Sequence, residues 1–520
     1  PITLDGKTIE LKDITYLGVL LDYSLNWSKH VIKYLAKAQH ATHVIRSLRS
    51  TWWGSDPEIL ITLYKGLIRP HLDFAGIMFS RISKKMVAKL ESAQLIALKL
   101  CAGFMRSTPS NVVLAETGEM PIGMRREWIA HKFVAKQFSL NNNQLRQNII
   151  TMYANFNDNN NKYWRNKPPP PLVEGCDYFL NKTNVMHSSN IWPIFNTELS
   201  TILQTKQIYS SQLAKEEDNN IKFRDYINTR WNGYHTIFTD GSVSDDKSVG
   251  IGVYIPVINL KFSARLPHHM SICTAETLAI IKALKVIMEN EWEKVIICAD
   301  SRSALERISN INLSYKLDHH TIYCKQILAQ LQSQGRTIEF IWIPSHTNID
   351  GNEKADTLAV EGANLEIISP LKCNFTEFIP QIKVNIRQKW QTKWREICNI
   401  KGKFYKAHTN ELPTKKWFTK SHHSRRAIVT MNRLRSGHSS VKDHLYRIGM
   451  ADSPLCACGQ TQTALHVLFE CTNYLDACNE LYIALSKKIP SPLNLISVLQ
   501  NPTIADLHVL EFLDGLNIKL

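Results

Sequence analysis

The chain's 520 residues are too many for one compact core, and at about 100 to 200 residues per domain they suggest three or four domains. A composition 44% hydrophobic and 21% charged is that of an ordinary globular protein, and no apolar run approaches the roughly 18 residues of a membrane-spanning helix, which argues against a membrane role. The net charge of +16 points to a polyanionic partner without separating nucleic acid from an anionic membrane surface.

The sequence opens at Pro1 inside a patterned segment, which reads as the carboxyl part of a longer product. From Ser28 to about Phe104 the pattern predicts three helices. The second starts with Asp56 as N-cap and Pro57 at the first helical position, and is expected to end before Pro70. The third carries Val87, Leu90, Ala93, Ala97 and Cys101 at helical spacing and closes at Gly103. Residues 1–139 are thus expected to form an N-terminal helical bundle. From Leu140 to Leu172 the Asn-rich sequence ends in Pro168 to Pro171 and predicts an extended, semi-rigid linker. Residues 140–230 as a whole read as linker and spacer.

From His235 short β-rich runs alternate with helical ones, the pattern of an α/β layer fold. Strands are predicted at Thr236–Thr239, Val249–Ile255, Lys261–Arg265, Val295–Ala299 and Thr337–Ile343. Helices are predicted at Ala275–Glu289, Ser303–Ile308, Asp318–Gln332 and from Gly351. The order is βββαβααβα, a five-stranded mixed sheet with helices over residues 231–364. A basic helical region, 365–450, and a small helical module, 451–520, complete a multidomain α and α/β chain.

Four carboxylates fall at element ends: Asp240 after the first strand, Glu276 in the first turn of the first helix, Asp300 after the fourth strand and Asp356 on the last helix. Each alone reads as a cap or a solvated charge. Sheet packing can bring distant strand ends to one point, and hard oxygen ligands select magnesium or manganese. Two such ions can clamp the attacking water and the leaving oxygen of a phosphodiester.

The run Thr239-Asp240-Gly241-Ser242, Ala275-Glu276, Asp300-Ser301, Trp342-Ile343-Pro344-Ser345-His346 and Gly351-Asn352-Glu353-Lys354-Ala355-Asp356 strongly resembles the type 1 ribonuclease H family, from Trp231 to Asn364. The resemblance implies endonucleolytic hydrolysis of the RNA strand of an RNA–DNA hybrid with two Mg2+ or Mn2+ ions. Asp240 would be shared by both ions, Asp356 would ligate the ion that activates water, and Glu276 with Asp300 the second. Glu276 would also reach a ribose 2′-OH, which only RNA offers. His346 matches a histidine that assists proton movement and product release, a role open to an imidazole near neutrality. An exposed loop histidine is the plain alternative. Asn352 matches a position near the substrate. Between Asp300 and Thr337 the Lys-rich handle of some family members is missing.

The flanks carry a second resemblance. Tyr16-Leu17-Gly18-Val19, Leu25-Asn26-Trp27, Leu63-Tyr64, Ile68-Arg69-Pro70 and Leu90-Glu91-Ser92-Ala93-Gln94, within Ile14 to Ile122, look like the thumb or connection region after the polymerase palm in reverse transcriptases of non-LTR retrotransposons. The only adjacent aspartates, Asp245-Asp246, follow Val-Ser, so no complete polymerase site is present, and the polymerase portion of the same polyprotein becomes an implied partner. Lys401 to Met450 holds twelve Lys or Arg against two acidic residues. Lys415, Lys416, Arg425, Arg426, Arg433 and Arg435 are the candidate contacts to nucleic acid, with a solvated basic helix as the alternative. Arg433-Leu434-Arg435-Ser436-Gly437-His438 also occurs in this retrotransposon class.

Cys456-x-Cys458-x7-His466-x4-Cys471 offers three thiols and an imidazole within sixteen residues, a set that can close a tetrahedral Zn2+ shell. It resembles the CCHC element near the carboxyl end of those retrotransposon proteins. Reduced, partly buried cysteines are the alternative, and Cys478 is close enough to be another ligand. The remaining cysteines, of eleven, are scattered and no signal peptide is evident. A reducing intracellular compartment, nucleus or cytoplasm, is expected. The reading is a hybrid-specific ribonuclease with nucleic-acid-binding flanks; the rival is a catalytically silent nucleic-acid-binding relic.

Overall fold

The structure, a computed structural model, describes all residues except 1, 5–6, 10–12, 25, 51–52, 79–81, 141–142, 165–167, 183–185, 188–207, 211–218, 310–317, 420–422 and 519–520. Most of the expected spacer at 172–230, and residues 310–317 of the stretch from Asp300 to Thr337 that lacks a Lys-rich handle, lie outside the described residues. No helix among the described residues is long and apolar enough to cross a membrane. The chain divides into two units: Pro1–Ala130 with Pro170–Leu172 and Lys383–Leu520, and His131–Pro169 with Val173–Ile382.

In the first unit, helix Ser28–Ser47 buries Val31, Leu35, Ala38 and Ile45, and helix Lys84–Ala102 buries Leu90, Ala93, Ala97 and Cys101 of the expected stripe, with Val87 half-buried. The Asp56 carboxylate accepts the Glu58 N–H at 2.6 Å, and Gly103 closes its helix at φ 72°. The helix from Pro57 does not stop before Pro70. A π-helical turn, Tyr64–Ile68, carries it into Arg69–Asp73, and a widened turn tolerates the missing proline N–H.

The basic tail differs more from expectation. Helix Arg425–Ser436 is buried along most of its length. Arg425 donates to the carbonyls of Ser50, Ser55, Leu100 and Cys101, and Arg433 donates to Gly103. Arg435 meets the Glu116 carboxylate at 2.7 Å and the Leu499 carbonyl. Arg426 pairs with Asp514 and Lys416 with Glu58. Of the six proposed phosphate contacts, Lys415 alone is exposed. The cations close the carbonyl ends of neighbouring helices, where an unpaired C=O in the interior would be costly.

In the second unit the expected linker and spacer are partly helical, with Gln144–Asn157, capped by Asn143, and the part of Pro171–Leu180 from Val173 on. The sheet has six strands: β1 (Ile208–Ser210), β2 (His235–Val243), β3 (Val249–Ile255), β4 (Leu260–Leu266), β5 (Lys294–Ala299) and β6 (Thr337–Trp342). Their order is β1-β6-β5-β2-β3-β4. The pairs β1/β6, β6/β5 and β5/β2 are parallel; β2/β3 and β3/β4 are antiparallel. Strand β1 adds an edge that the sequence did not reveal. Helices α1 (Asn219–Arg230), α2 (Ile272–Glu289), α3 (Arg302–Ser309), α4 (His319–Ser333) and α5 (Asp350–Ala363) cover it. Phe223 and Ile227 of α1 join Phe238, Ile296, Ile341 and Leu358 in one core cluster.

Helix α5 lies flush on the sheet because its neighbours have no side chain. A Cβ at Gly252 would collide with the Ala355 carbonyl and the Ala359 N–H, and one at Gly250 with the Ala359 carbonyl. Only this close approach brings Asp356, next to Ala355, down to the strand that carries Asp240.

Candidate active site

Asp240 lies within β2, not after it, opposite Gly252 of β3. Its neighbour Thr239 pairs with Ala299, the last residue of β5, so Asp300 emerges beside Asp240. The Trp342 indole N–H donates to the Asp300 carbonyl at 2.9 Å and holds that strand end. Helix α2 starts earlier than expected, at Ile272 with Ser271 as N-cap, which places Glu276 in its second turn. At Gly241 a Cβ would lie 2.8 Å from the Glu276 amide nitrogen, so glycine lets α2 settle against β2.

Asp240, Glu276 and Asp300 each bring a carboxylate oxygen within 4.8 Å of the others. Asp240 and Glu276 are buried. Burial, then the Asp300 and Asp356 carboxylates, push Asp240 up to about 8 against the pull of the Gly241 N–H. Glu276 is pushed well above the carboxylate range by burial and then by Asp240 and Asp300. Such a cluster repels itself until a cation compensates it.

His346, Glu353 and Asp356 form a second group within 4.8 Å. Glu353 was not singled out from the sequence, although its spacing of three from Asp356 on one helix was a usable signal. His346 is exposed in the loop between β6 and α5, at φ 52°, with Asn348 at φ 59°, a left-handed conformation that costs a non-glycine residue energy. Helix α1 tethers this loop. The Asn219 side-chain amide donates to the Thr347 carbonyl at 2.7 Å, and Asn220 exchanges two hydrogen bonds with Asp350. Asn352 is buried and its Oδ1 has no hydrogen-bond partner.

In the first unit Cys456, Cys458, His466 and Cys471 also converge within 4.8 Å. Cys456 Sγ is 3.8 Å from Cys471 Sγ, and Cys458 Sγ 3.3 Å from His466 Nε2. Burial raises the Cys456 thiol, but the Cys458 N–H, His466 and the neighbouring thiols bring it down to about 6. Cys478 is outside the group; its thiol donates to the Val467 carbonyl.

Residues 232–364 match the RNase H family. Over 140 residues the chain is 30% identical to Ribonuclease H1 of Homo sapiens and 31% to that of Mus musculus, covering 24% of this chain and 49% of each relative. The chain therefore spans about half the length of these curated relatives. Among solved structures, the N-terminal RNase H domain of a Mycobacterium tuberculosis protein is similar at 20% identity, covering 25% of this chain and 94% of that one, with a TM-score of 0.20. LC11-RNase H1 in complex with an RNA/DNA hybrid is similar at 24% identity, covering 25% and 96%, with a TM-score of 0.20. Residues 232–364, with Asp240 of β2, Glu276 of α2 and Asp300 after β5 gathered together, are an RNase H domain.

Proposed function

We propose that the chain is a hybrid-specific ribonuclease in which Asp240, Glu276, Asp300 and Asp356 hold two divalent cations, Mg2+ or Mn2+. The observation that carries this is the mutually repelling group of buried Asp240 and Glu276 with half-buried Asp300, whose Glu276 Oε2 has no hydrogen-bond partner. An all-oxygen donor set of this charge fits a hard cation. Bound ions supply Lewis-acid stabilisation of the phosphodiester and a more acidic water.

The chain's own residues do the rest. Asp240, on a rigid strand, would hold both ions, and Glu276 would accept a hydrogen bond from a ribose 2′-OH. His346, on the exposed loop, moves a proton to or from the departing product, and Glu353 holds that imidazole beside Asp356. The Cys456, Cys458, His466 and Cys471 group fits Zn2+, since three thiols and an imidazole already converge there. The sequence motifs of Ile14 to Ile122 and Arg433 to His438 support an origin in a non-LTR retrotransposon reverse transcriptase, whose polymerase site this chain does not complete.

The test is cleavage of a labelled RNA–DNA hybrid with and without Mg2+. RNA fragments with 5′-phosphate and 3′-hydroxyl ends are expected, and Asp240→Asn should abolish them while the fold persists. Equal cutting of double-stranded DNA, or an Asp240→Asn variant within a few-fold of the parent, would overturn the reading.

A further inference from the structure

A carboxylate beyond the matched domain closes the start of the helix that carries Glu276. Glu377, at the end of the short turn Phe375–Glu377, accepts three hydrogen bonds from the first turn of α2. These are the Ser271 N–H at 2.8 Å, the Ser271 hydroxyl at 3.3 Å and the Thr274 hydroxyl at 2.5 Å. The Ser271 hydroxyl in turn accepts the Thr274 N–H at 3.4 Å. An anion placed on the donor end of a helix also interacts favourably with its dipole.

Glu276 has hydrogen bonds of its own with the Gly241 N–H and Asp240, and the path of its helix sets where the carboxylate lies. Its Oε2 is buried without a hydrogen-bond partner, and its two acidic neighbours push it away. Helix α2 is pressed against β2 at Gly241 on one side and hydrogen-bonded to Glu377 at its first turn.

We infer that Glu377 is a positioning residue for the divalent-cation site: it fixes the first turn of α2 so that Glu276 stays in register with Asp240 and Asp300. The inference rests on the metal-dependent ribonuclease reading above. A supporting carboxylate outside residues 232–364 also means that the matched domain alone lacks part of its site.

The experiment uses the full chain and reads Mn2+ binding by paramagnetic resonance beside Mg2+-dependent hybrid cleavage. Glu377→Ala should weaken Mn2+ binding about tenfold, while Glu377→Gln should recover to within about threefold of the parent. The glutamine carbonyl can take the Ser271 N–H and its amide can donate to the two hydroxyls. The Mg2+ concentration for half-maximal cleavage should move in step, with turnover at saturating Mg2+ much less affected. If Glu377→Ala does not fold, Thr274→Val, which removes one donor to Glu377, should shift Mn2+ binding in the same direction. A folded Glu377→Ala or Thr274→Val protein with the parent's Mn2+ affinity would overturn the inference and leave Glu377 a simple cap. Mn2+ binding decides this even where the parent cuts no hybrid, a result that would overturn the activity reading instead.

Discussion

Buried histidines show how packing changes a residue's chemistry. His408 is enclosed in the first unit, its Nε2 2.8 Å from the Arg435 carbonyl and its Nδ1 2.9 Å from the Thr409 hydroxyl. Burial and then the Arg435 guanidinium lower it to about 4. The folded state therefore holds fewer protons than the unfolded chain between about pH 4 and the ordinary imidazole value. Its contribution to stability is present above that value and is lost as pH falls toward 4. Thermal melts should show the protein losing stability across this window, with a shallower slope for His408→Gln. An identical slope in that variant would assign the acid sensitivity to other groups. Nothing in the sequence around His408 announces this, because both its burial and its charged neighbour come from packing.

At the scale of elements, the site depends on how closely α5 approaches the sheet. Glycine weakens a strand interior, and at Gly250 and Gly252 it leaves room for the backbone of α5. Gly252→Ala should lift α5 and carry Asp356 away from Asp240, because the new methyl meets helix backbone, which cannot turn aside. Overpacking of this kind costs about 1–3 kcal/mol. The expected outcome is a lower melting temperature together with loss of most hybrid cleavage at any Mg2+ concentration. Parent-like activity in a folded Gly252→Ala protein would show that the helix has room to shift. The strands and helices around this contact were legible: Val249–Ile255 was expected residue for residue, since alternation and β-branched composition act within a few positions. The early start of α2 was missed because Ser271 as an N-cap is one of many serines that could serve.

For the whole molecule, the Cys456 to Cys471 group borders a core that also draws on distant chain. Val467, Leu468 and Cys478 pack in one cluster with Met431 and Leu434 of the buried arginine helix. Loss of Zn2+ should therefore be felt well beyond the thiolates, since metal binding contributes folding free energy. Zinc content and melting should be measured for the parent, a chelated sample and Cys458→Ser. One equivalent of zinc in the parent is expected, with a lower melting temperature in the other two. A metal-free protein that melts like the parent would make the four residues packing elements.

The sequence by itself determined the local features: the strand and helix periods of residues 235–363, the Asp56 cap and the stop at Gly103. These are encoded within a few positions, so neighbouring residues suffice to read them. It did not determine which charges face water. Arg425, Arg433 and Arg435 look like a phosphate-binding stripe on a helix, yet their partners are backbone carbonyls and the Glu116 carboxylate more than 300 residues away, except for Leu499 and Thr409 beside Arg435. The same holds for Glu353 beside His346, for β1 at the sheet edge and for Glu377 on α2. Whether a charged side chain is solvated or enclosed depends on what packs opposite it, and that is decided only when segments distant in the chain meet.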